Sequence, residues 1–256
     1  MKKYIVFNFK NNPSTTSELN DLIKTYNSSV SVLKRKYQLI LIPSVLHLLL
    51  AQDKLKTKFL YGIQNIFWLD KIAITGEITP KMAVRAGVKF VLIGHSERKK
   101  YLNEDWPTIN QKIKASLSHN LIPIICVGEK QKIDDDKVSF ALKQEIFEDL
   151  NYSFRGIKLN ARDKLIIAYE PQWAIGSGLT PTNQIIKEVG KLIRFWLCRR
   201  FSEAKGSTIP ILYGGSIERN NILEILSLKE INGIFIGSAS SNNQKLKQII
   251  NKLIKN

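Results

Sequence analysis

The chain is 256 residues long, 44% hydrophobic and 24% charged, the balance of an ordinary globular protein and not of a disordered or fibrous one. Its formal charge of +17 suits an anionic partner, but the basic residues are scattered, no five stand consecutively, and zinc-finger and RNP-type signatures are absent, so a small anionic substrate is expected and nucleic acid is not. Two cysteines, Cys126 and Cys198, supply neither a disulfide framework nor metal-ligand spacing, which points to a reducing cytoplasmic setting and to no metal.

The N-terminal "MKKYIVFNFK" has a basic head, but its apolar run stops at Asn8 and Lys10, too short for a secretory signal. The segment 4–9 reads instead as a first strand, and Ser17 to Leu33 follows with helical spacing. "YQLILIP" (37–43) is the second strand. The apolar run that continues from Leu39 to Ala51 is broken by Pro43, Ser44 and His47, and it is too short to span a bilayer, so no membrane association is expected. Further strands are "KFLYGIQ" (58–64), "KFVLIG" (89–94), "LIPIICVG" (121–128), "KLIIAYE" (164–170), "TIPILYGG" (208–215) and "INGIFIG" (231–237). Helical spacing recurs over Asp105 to His119 and Thr182 to Phe201, and the acidic run Asp134 to Asp136 reads as a solvated loop.

Near-continuous apolar runs suit strands buried on both faces, and parallel strands need helical crossovers. Eight such units in a chain of this length predict a (β/α)₈ barrel, a TIM barrel. No linker rich in Pro, Gly or Ser divides the sequence, so one domain over 1–256 is expected. A doubly wound open sheet is the structural alternative; it normally shows a Gly-rich phosphate turn after its first strand, and here no glycine precedes residue 62.

In a (β/α)₈ barrel the carboxyl ends of the strands form the active-site face. Asn8 and Lys10 end the first strand with the same parity, His95 and Glu97 end the fourth, and Glu170 ends the sixth. "YGGS" (213–216) and "GSAS" (237–240) follow the seventh and eighth, and glycine-rich turns there expose backbone amides that suit a phosphate. "EPQWAIGSGLTPT" (170–182) holds an apolar tip, Trp173 to Ile175, between Pro171 and the glycines Gly176 and Gly178. Such a tip reads as a lid over 171–178, with Thr180 as N-cap and Pro181 as the first position of the next helix.

These segments closely resemble the triosephosphate isomerase family. The motifs are "NFKNN" (8–12), "GIQN" (62–65), "TGE" (75–77), "GHSER" (94–98), "CVGE" (126–129), "AYEPQWAIGSG" (168–178), "YGGSI" (213–217) and "GIFIGSAS" (233–240). The resemblance implies interconversion of dihydroxyacetone phosphate and D-glyceraldehyde 3-phosphate through an enediol(ate), in glycolysis and gluconeogenesis, with no cofactor. By the same match Glu170 would be the base, which needs partial removal of water from its carboxylate. His95 would be a neutral electrophile, its imidazolium disfavoured at a helix start, and Lys10 would stabilise the developing negative charge. Asn8 would support that neighbourhood, and Glu97 would sit beside Lys10 and His95. The phosphate would meet backbone amides near Gly176, Ser216, Gly237 and Ser238. The lid would comprise Pro171, Trp173, Ala174, Ile175, Gly176, Ser177 and Gly178.

The sequence also departs from the family. Phe9 and Asn11 stand where Trp and Met are usual, Ser177 for a common threonine, Leu179 for a common lysine, Lys99 for the second Arg of an "RR" pair, and Ser238 for a usual glycine. If the backbone of Ser238 needs a positive φ, the side chain adds strain. The segment 63–77 matches the loop by which the family forms homodimers, with Thr75 reaching towards the partner's site; an apolar "IFWL" there is hard to leave in water. Two other functions fit parts of the pattern: another phosphate-binding barrel isomerase acting on a sugar or amino-sugar phosphate, and a basic binding protein weakened in catalysis.

Overall fold

The computed structural model describes residues 2–55, 59–132 and 138–255. The acidic run 134–136 and the first residue of the third predicted strand lie outside them.

Eight strands, β1 (Lys3–Asn8), β2 (Tyr37–Ile42), β3 (Leu60–Ile63), β4 (Phe90–Ile93), β5 (Ile122–Val127), β6 (Ile166–Tyr169), β7 (Ile211–Tyr213) and β8 (Gly233–Ile236), pair in sequence order into one closed parallel barrel. Between and after them run the helices α1 (Thr16–Lys36), α2 (Val45–Lys54), α3 (Pro80–Arg85), α4 (Ser96–Leu102), α5 (Trp106–Ser118), α6 (Phe140–Ser153), α7 (Asn183–Phe201), α8 (Glu203–Gly206), α9 (Ile222–Ser227) and α10 (Asn243–Lys255). Every strand lies inside its predicted window or within a residue of it. The expected barrel is the one observed.

Local chemistry fixes where the helices start. At α1 a capping box operates: the Glu18 N–H donates to Thr15 Oγ1 at 3.2 Å, and the Thr15 N–H donates back to Glu18 Oε2 at 3.1 Å. The start of α7 differs from expectation. Its N-cap is Thr182, whose hydroxyl oxygen accepts from the Ile185 N–H at 3.3 Å. Thr180 instead donates to the Ser216 carbonyl at 3.4 Å and accepts from Asn221 at 3.3 Å. Two threonines within three residues each satisfy a cap pattern, and the tertiary contact with the β7 turn decides between them.

Strand parity sorts the core into two layers. Val6, Ile40, Ile42, Phe90, Leu92, Ile124, Cys126, Ile166, Ala168, Leu212 and Phe235 fill the barrel. Their neighbours, such as Ile5, Phe7, Leu41, Ile125, Ile167 and Ile234, face the helices. Both faces of each strand are therefore apolar, which is why the runs do not alternate.

The barrel closes between β1 and β8, where Tyr4 stands opposite Gly233. A Cβ on Gly233 would lie 2.2 Å from the Tyr4 carbonyl oxygen, and backbone in a closed sheet cannot retreat. Gly233→Ala is therefore expected to cost about 3 kcal/mol or more. Gly156→Ala, at φ 69° with open space around it, is expected to cost only the left-handed penalty of about 1–2 kcal/mol. Urea denaturation midpoints compare the two; equal costs would show that the seam tolerates a methyl group.

Candidate active site

The interior parity of β1 continues past its end. Asn8 is buried, and its Oδ1 accepts from the Lys10 N–H at 3.0 Å while the Ser240 hydroxyl donates to the Asn8 carbonyl at 2.9 Å. Lys10 adopts φ 54°, the left-handed region that a residue with a side chain rarely enters. Gln64 holds it there by donating to the Lys10 carbonyl at 2.6 Å. The Lys10 ammonium forms an ion pair with Glu97. Strain at this lysine is thus fixed by two hydrogen bonds and a charge contact.

Inside-facing residues of β4 are Phe90 and Leu92, so parity alone would turn His95 away from the barrel axis. Gly94, at φ 68°, reverses that. The His95 ring then lies 6.0 Å from Phe235, an interior residue of β8. As N-cap of α4, its Nδ1 accepts from the Glu97 N–H at 3.2 Å. A nitrogen that accepts carries no proton, so the ring proton sits on Nε2. That nitrogen faces Glu170 Oε1 at 3.5 Å. Glu97 also approaches His95 Nδ1 through Oε2 at 3.5 Å, which seats it between the histidine and the lysine as expected.

Glu170 follows β6 with the interior parity of Ala168 and is almost fully buried. Its Oε2 accepts from the Ser96 N–H at 3.4 Å, and its Oε1 has no hydrogen bond among the described residues. The neutral thiol of Cys126 lies beside it, pushed well above its ordinary pKa by burial and then by the Glu170 carboxylate. Gly214 leaves room for the side chain, since a Cβ there would stand 3.0 Å from Glu170 Cγ.

A cavity of about 740 Å³ opens over this group. Lys10, His95, Ile175, Gly176, Ser177, Gly178, Ser216, Gly237 and Ser238 all border it. Glu170 does not; it rests behind His95. Among the described residues the backbone amides of Gly176, Ser216, Gly237 and Ser238 donate to no protein acceptor. Four predicted phosphate contacts therefore share one wall with their donors free. Ser238 opens a short 3₁₀ turn, Ser238–Ser240, and takes no positive φ. The strain expected of a serine there is absent. The constraint falls on Gly237, where a Cβ would stand 3.1 Å from Lys10 Cε.

The apolar tip of the predicted lid is partly packed against the barrel. Ala174 is fully buried, and Trp173 and Ile175 are half-buried. Trp173 Nε1 donates to Glu129 Oε1 at 2.8 Å, and the Ser216 hydroxyl donates to the Ala174 carbonyl at 2.6 Å. The exposed part is Gly176 to Leu179, with Gly176 and Gly178 at φ 71° and 76°. The Ser177 hydroxyl donates to the Ala174 carbonyl at 3.1 Å and accepts from the Leu179 N–H at 3.1 Å. Thr75 is exposed and does not border the cavity of its own chain. Gln64, Cys126, Glu129 and Ser240 are the participants that residue-by-residue reading missed; of these only Glu129, a carboxylate ending an apolar strand, carried a signal of its own.

The sequence model of the family described as triosephosphate isomerase matches residues 3–253. Three relatives named triosephosphate isomerase illustrate the similarity. That of Dictyoglomus turgidum is 34% identical over 97% of this chain and 98% of its own length. That of Mycoplasmoides gallisepticum is 35% identical over 98% of both. That of Thermoanaerobacter pseudethanolicus is 36% identical over 84% of this chain and 86% of its own length.

Glu129 is buried at the root of the lid. Burial raises its pKa to about 7, against the opposing hydrogen bonds from Trp173 and Tyr169. The folded protein therefore holds a proton that an unfolded glutamate releases near pH 4.5, and stability falls as pH rises from there to about 7. Relative to the wild type, Glu129→Gln should gain about 3 kcal/mol between pH 4.5 and pH 8. Chemical denaturation of both proteins at the two pH values measures this; a pH-independent difference would contradict a buried, protonated Glu129.

Proposed function

The chain belongs to the triosephosphate isomerase family, and on that premise we propose that Glu170, His95 and Lys10 carry the interconversion of dihydroxyacetone phosphate and D-glyceraldehyde 3-phosphate. The observation that supports this assignment best is the contact of His95 Nε2 with a buried Glu170 oxygen at 3.5 Å, beside Lys10 and a wall of free amides.

The substrate phosphate docks on the amides of Gly176, Ser216, Gly237 and Ser238, where oriented N–H dipoles replace water. Its carbonyl oxygen points at His95 Nε2–H and the Lys10 ammonium. Glu170 removes the proton from the hydroxymethyl carbon, the electron pair forms a carbon–carbon double bond, and the carbonyl oxygen takes the negative charge. His95 and Lys10 stabilise that charge. The former carbonyl oxygen then takes a proton from His95 Nε2, the hydroxyl oxygen on the first carbon returns one to that nitrogen, and return of the carbon-bound proton to the neighbouring carbon gives the aldehyde. Glu170 is joined directly to Pro171, so a closing lid would carry the carboxylate off the Ser96 amide and towards the substrate while Ile175 excludes water.

A homodimer suits the surface. Among the described residues, eleven of the fifteen exposed large apolar side chains fall between Val45 and Leu102, Leu46, Leu49, Leu69, Ile72 and Tyr101 among them. Within the 63–77 segment, Ile66 is fully buried and Phe67 stacks on Trp68 at 4.0 Å, so the loop is built around its own anchor. The exposed apolar groups beyond that anchor are what a second copy would cover. No helix among the described residues is long and apolar enough to cross a membrane, and both cysteines are free, as in a reducing cytoplasm.

In a coupled assay with glyceraldehyde 3-phosphate, Glu170→Ala should lower kcat by about two to four orders of magnitude. Wild-type protein that turns over neither triose phosphate would reject the assignment. Sedimentation at micromolar concentration should give a dimer, and a monomer there would remove the loop 63–77 interface.

A further inference from the structure

The cavity is larger than a triose phosphate needs. At about 740 Å³ it falls in the range that holds a drug-sized ligand, about 300–1,000 Å³. The surplus lies on one side, beyond the glycine turns. There Arg219, from the turn after β7, and Lys245 and Lys252, from α10, border the same space. Lys245 and Lys252 stand seven residues apart, two helical turns or about 10 Å, with Gln248 and Ile249 between them on the same face.

These three cations differ from those nearer the barrel. Lys10 is paired with Glu97, Arg98 and Lys112 with Glu104, and Lys99 with Asp149. Arg219, Lys245 and Lys252 have no carboxylate partner among the described residues, and Glu218 is the one acidic residue that borders the cavity. A concave wall of unpaired positive charge beside a row of free amides favours an anion with a second charged group.

We propose that Arg219, Lys245 and Lys252 form a second anion subsite, so that the cavity binds a small sugar phosphorylated at both ends. One phosphate takes the glycine-turn amides and the other takes the basic wall. Such a ligand fills the substrate's phosphate seat with a longer body, which blocks lid closure and makes it a competitive inhibitor. The proposal rests on the reading of the glycine turns as that seat.

Calorimetric titration of the full chain separates the two. The probes are inorganic phosphate, a hexose 6-phosphate, the matching hexose 1,6-bisphosphate, and tripolyphosphate. In the wild type the bisphosphate should bind about tenfold more tightly than the monophosphate. The Arg219→Ala, Lys245→Ala, Lys252→Ala variant should bring the two within about twofold, while Lys89→Ala, Lys158→Ala, Lys164→Ala, which removes as much charge at the opposite end of the barrel, should keep the preference. A parallel gain for tripolyphosphate assigns the subsite to any pair of spaced anions, and a gain for the hexose alone assigns it to the sugar. If phosphate binds but the bisphosphate gains nothing, or if the remote variant loses the preference equally, the subsite is overturned and the seat stands. If phosphate and the monophosphate do not bind, the seat falls and the proposal with it.

Discussion

The pairing of β1 with β8, with Tyr4 opposite Gly233 and Phe7 opposite Ile236, brings the first and last strands of the chain side by side. Only because these two ends meet does Lys10 lie against Gly237, close enough that a Cβ would stand 3.1 Å from the lysine's Cε. The Ser240 hydroxyl crosses the same seam to the Asn8 carbonyl at 2.9 Å. The Tyr26 hydroxyl reaches the Ser240 carbonyl from α1 at 2.9 Å. Lys10 and the glycine turn after β8, the proposed charge stabiliser and phosphate seat, are thus assembled from residues more than 220 positions apart. Their relative position is a property of barrel closure, not of either segment.

Charge is handled in two ways around this framework. Where it serves structure, it is neutralised: burial alone would raise the pKa of Glu104, but Lys112 and Arg98 outweigh burial and hold it below the usual carboxylate range. Asp149 is likewise filled by both of its bonds to Lys99 at 2.9 Å, by Trp106 at 2.8 Å and by the Gly128 amide at 3.1 Å. Near the lid the pattern reverses. Of the four buried side-chain oxygens without a hydrogen bond among the described residues, Glu129 Oε2, Glu170 Oε1 and the Tyr213 hydroxyl all lie there. Each such atom costs about 1–3 kcal/mol, so stability is given up around the proposed base and lid.

Much of this was legible in the sequence. Lys10, His95 and Glu170 each follow an apolar run, and ends of parallel strands in a barrel converge on one face. The free amides after β7 and β8 follow from their glycines. What stayed hidden depends on dihedrals and tertiary choice. Counting parity along β4 sends His95 outward, and only the positive φ of Gly94 brings it back. Thr180 and Thr182 both satisfy the local rule for a cap, and a hydrogen bond from Thr180 to the β7 turn selects the second. The sequence marks Trp173 to Ile175 as an apolar tip, but it does not show that Ala174 is fully buried with its carbonyl held by the Ser216 hydroxyl. The positive charge was visible as a number, but its concentration at the outer cavity wall appears only once α10 is seen to follow directly from the Ser238 turn.

The proposed lid and the proposed base are mechanically one object in this arrangement. Glu170 rests on the Ser96 amide, Trp173 is held by Glu129, Gln172 bonds the Glu129 carbonyl at 2.9 Å, and Ala174 is held by Ser216. Pro171, at φ −60°, joins the base to the rest and leaves little freedom between them. Moving Glu170 towards a substrate therefore disturbs the Trp173 and Ala174 contacts as well, and moving the lid disturbs Glu170. The two exposed glycines at φ 71° and 76° lie on the far side of the loop, away from these hydrogen bonds. A phosphate on the Gly176 amide would pull on that side, and the hydrogen-bonded side would transmit the displacement to the carboxylate. On the proposed assignment, binding energy from the non-reacting end of the substrate is in this way available to place Glu170, which a lid hinged equally at both ends would not achieve.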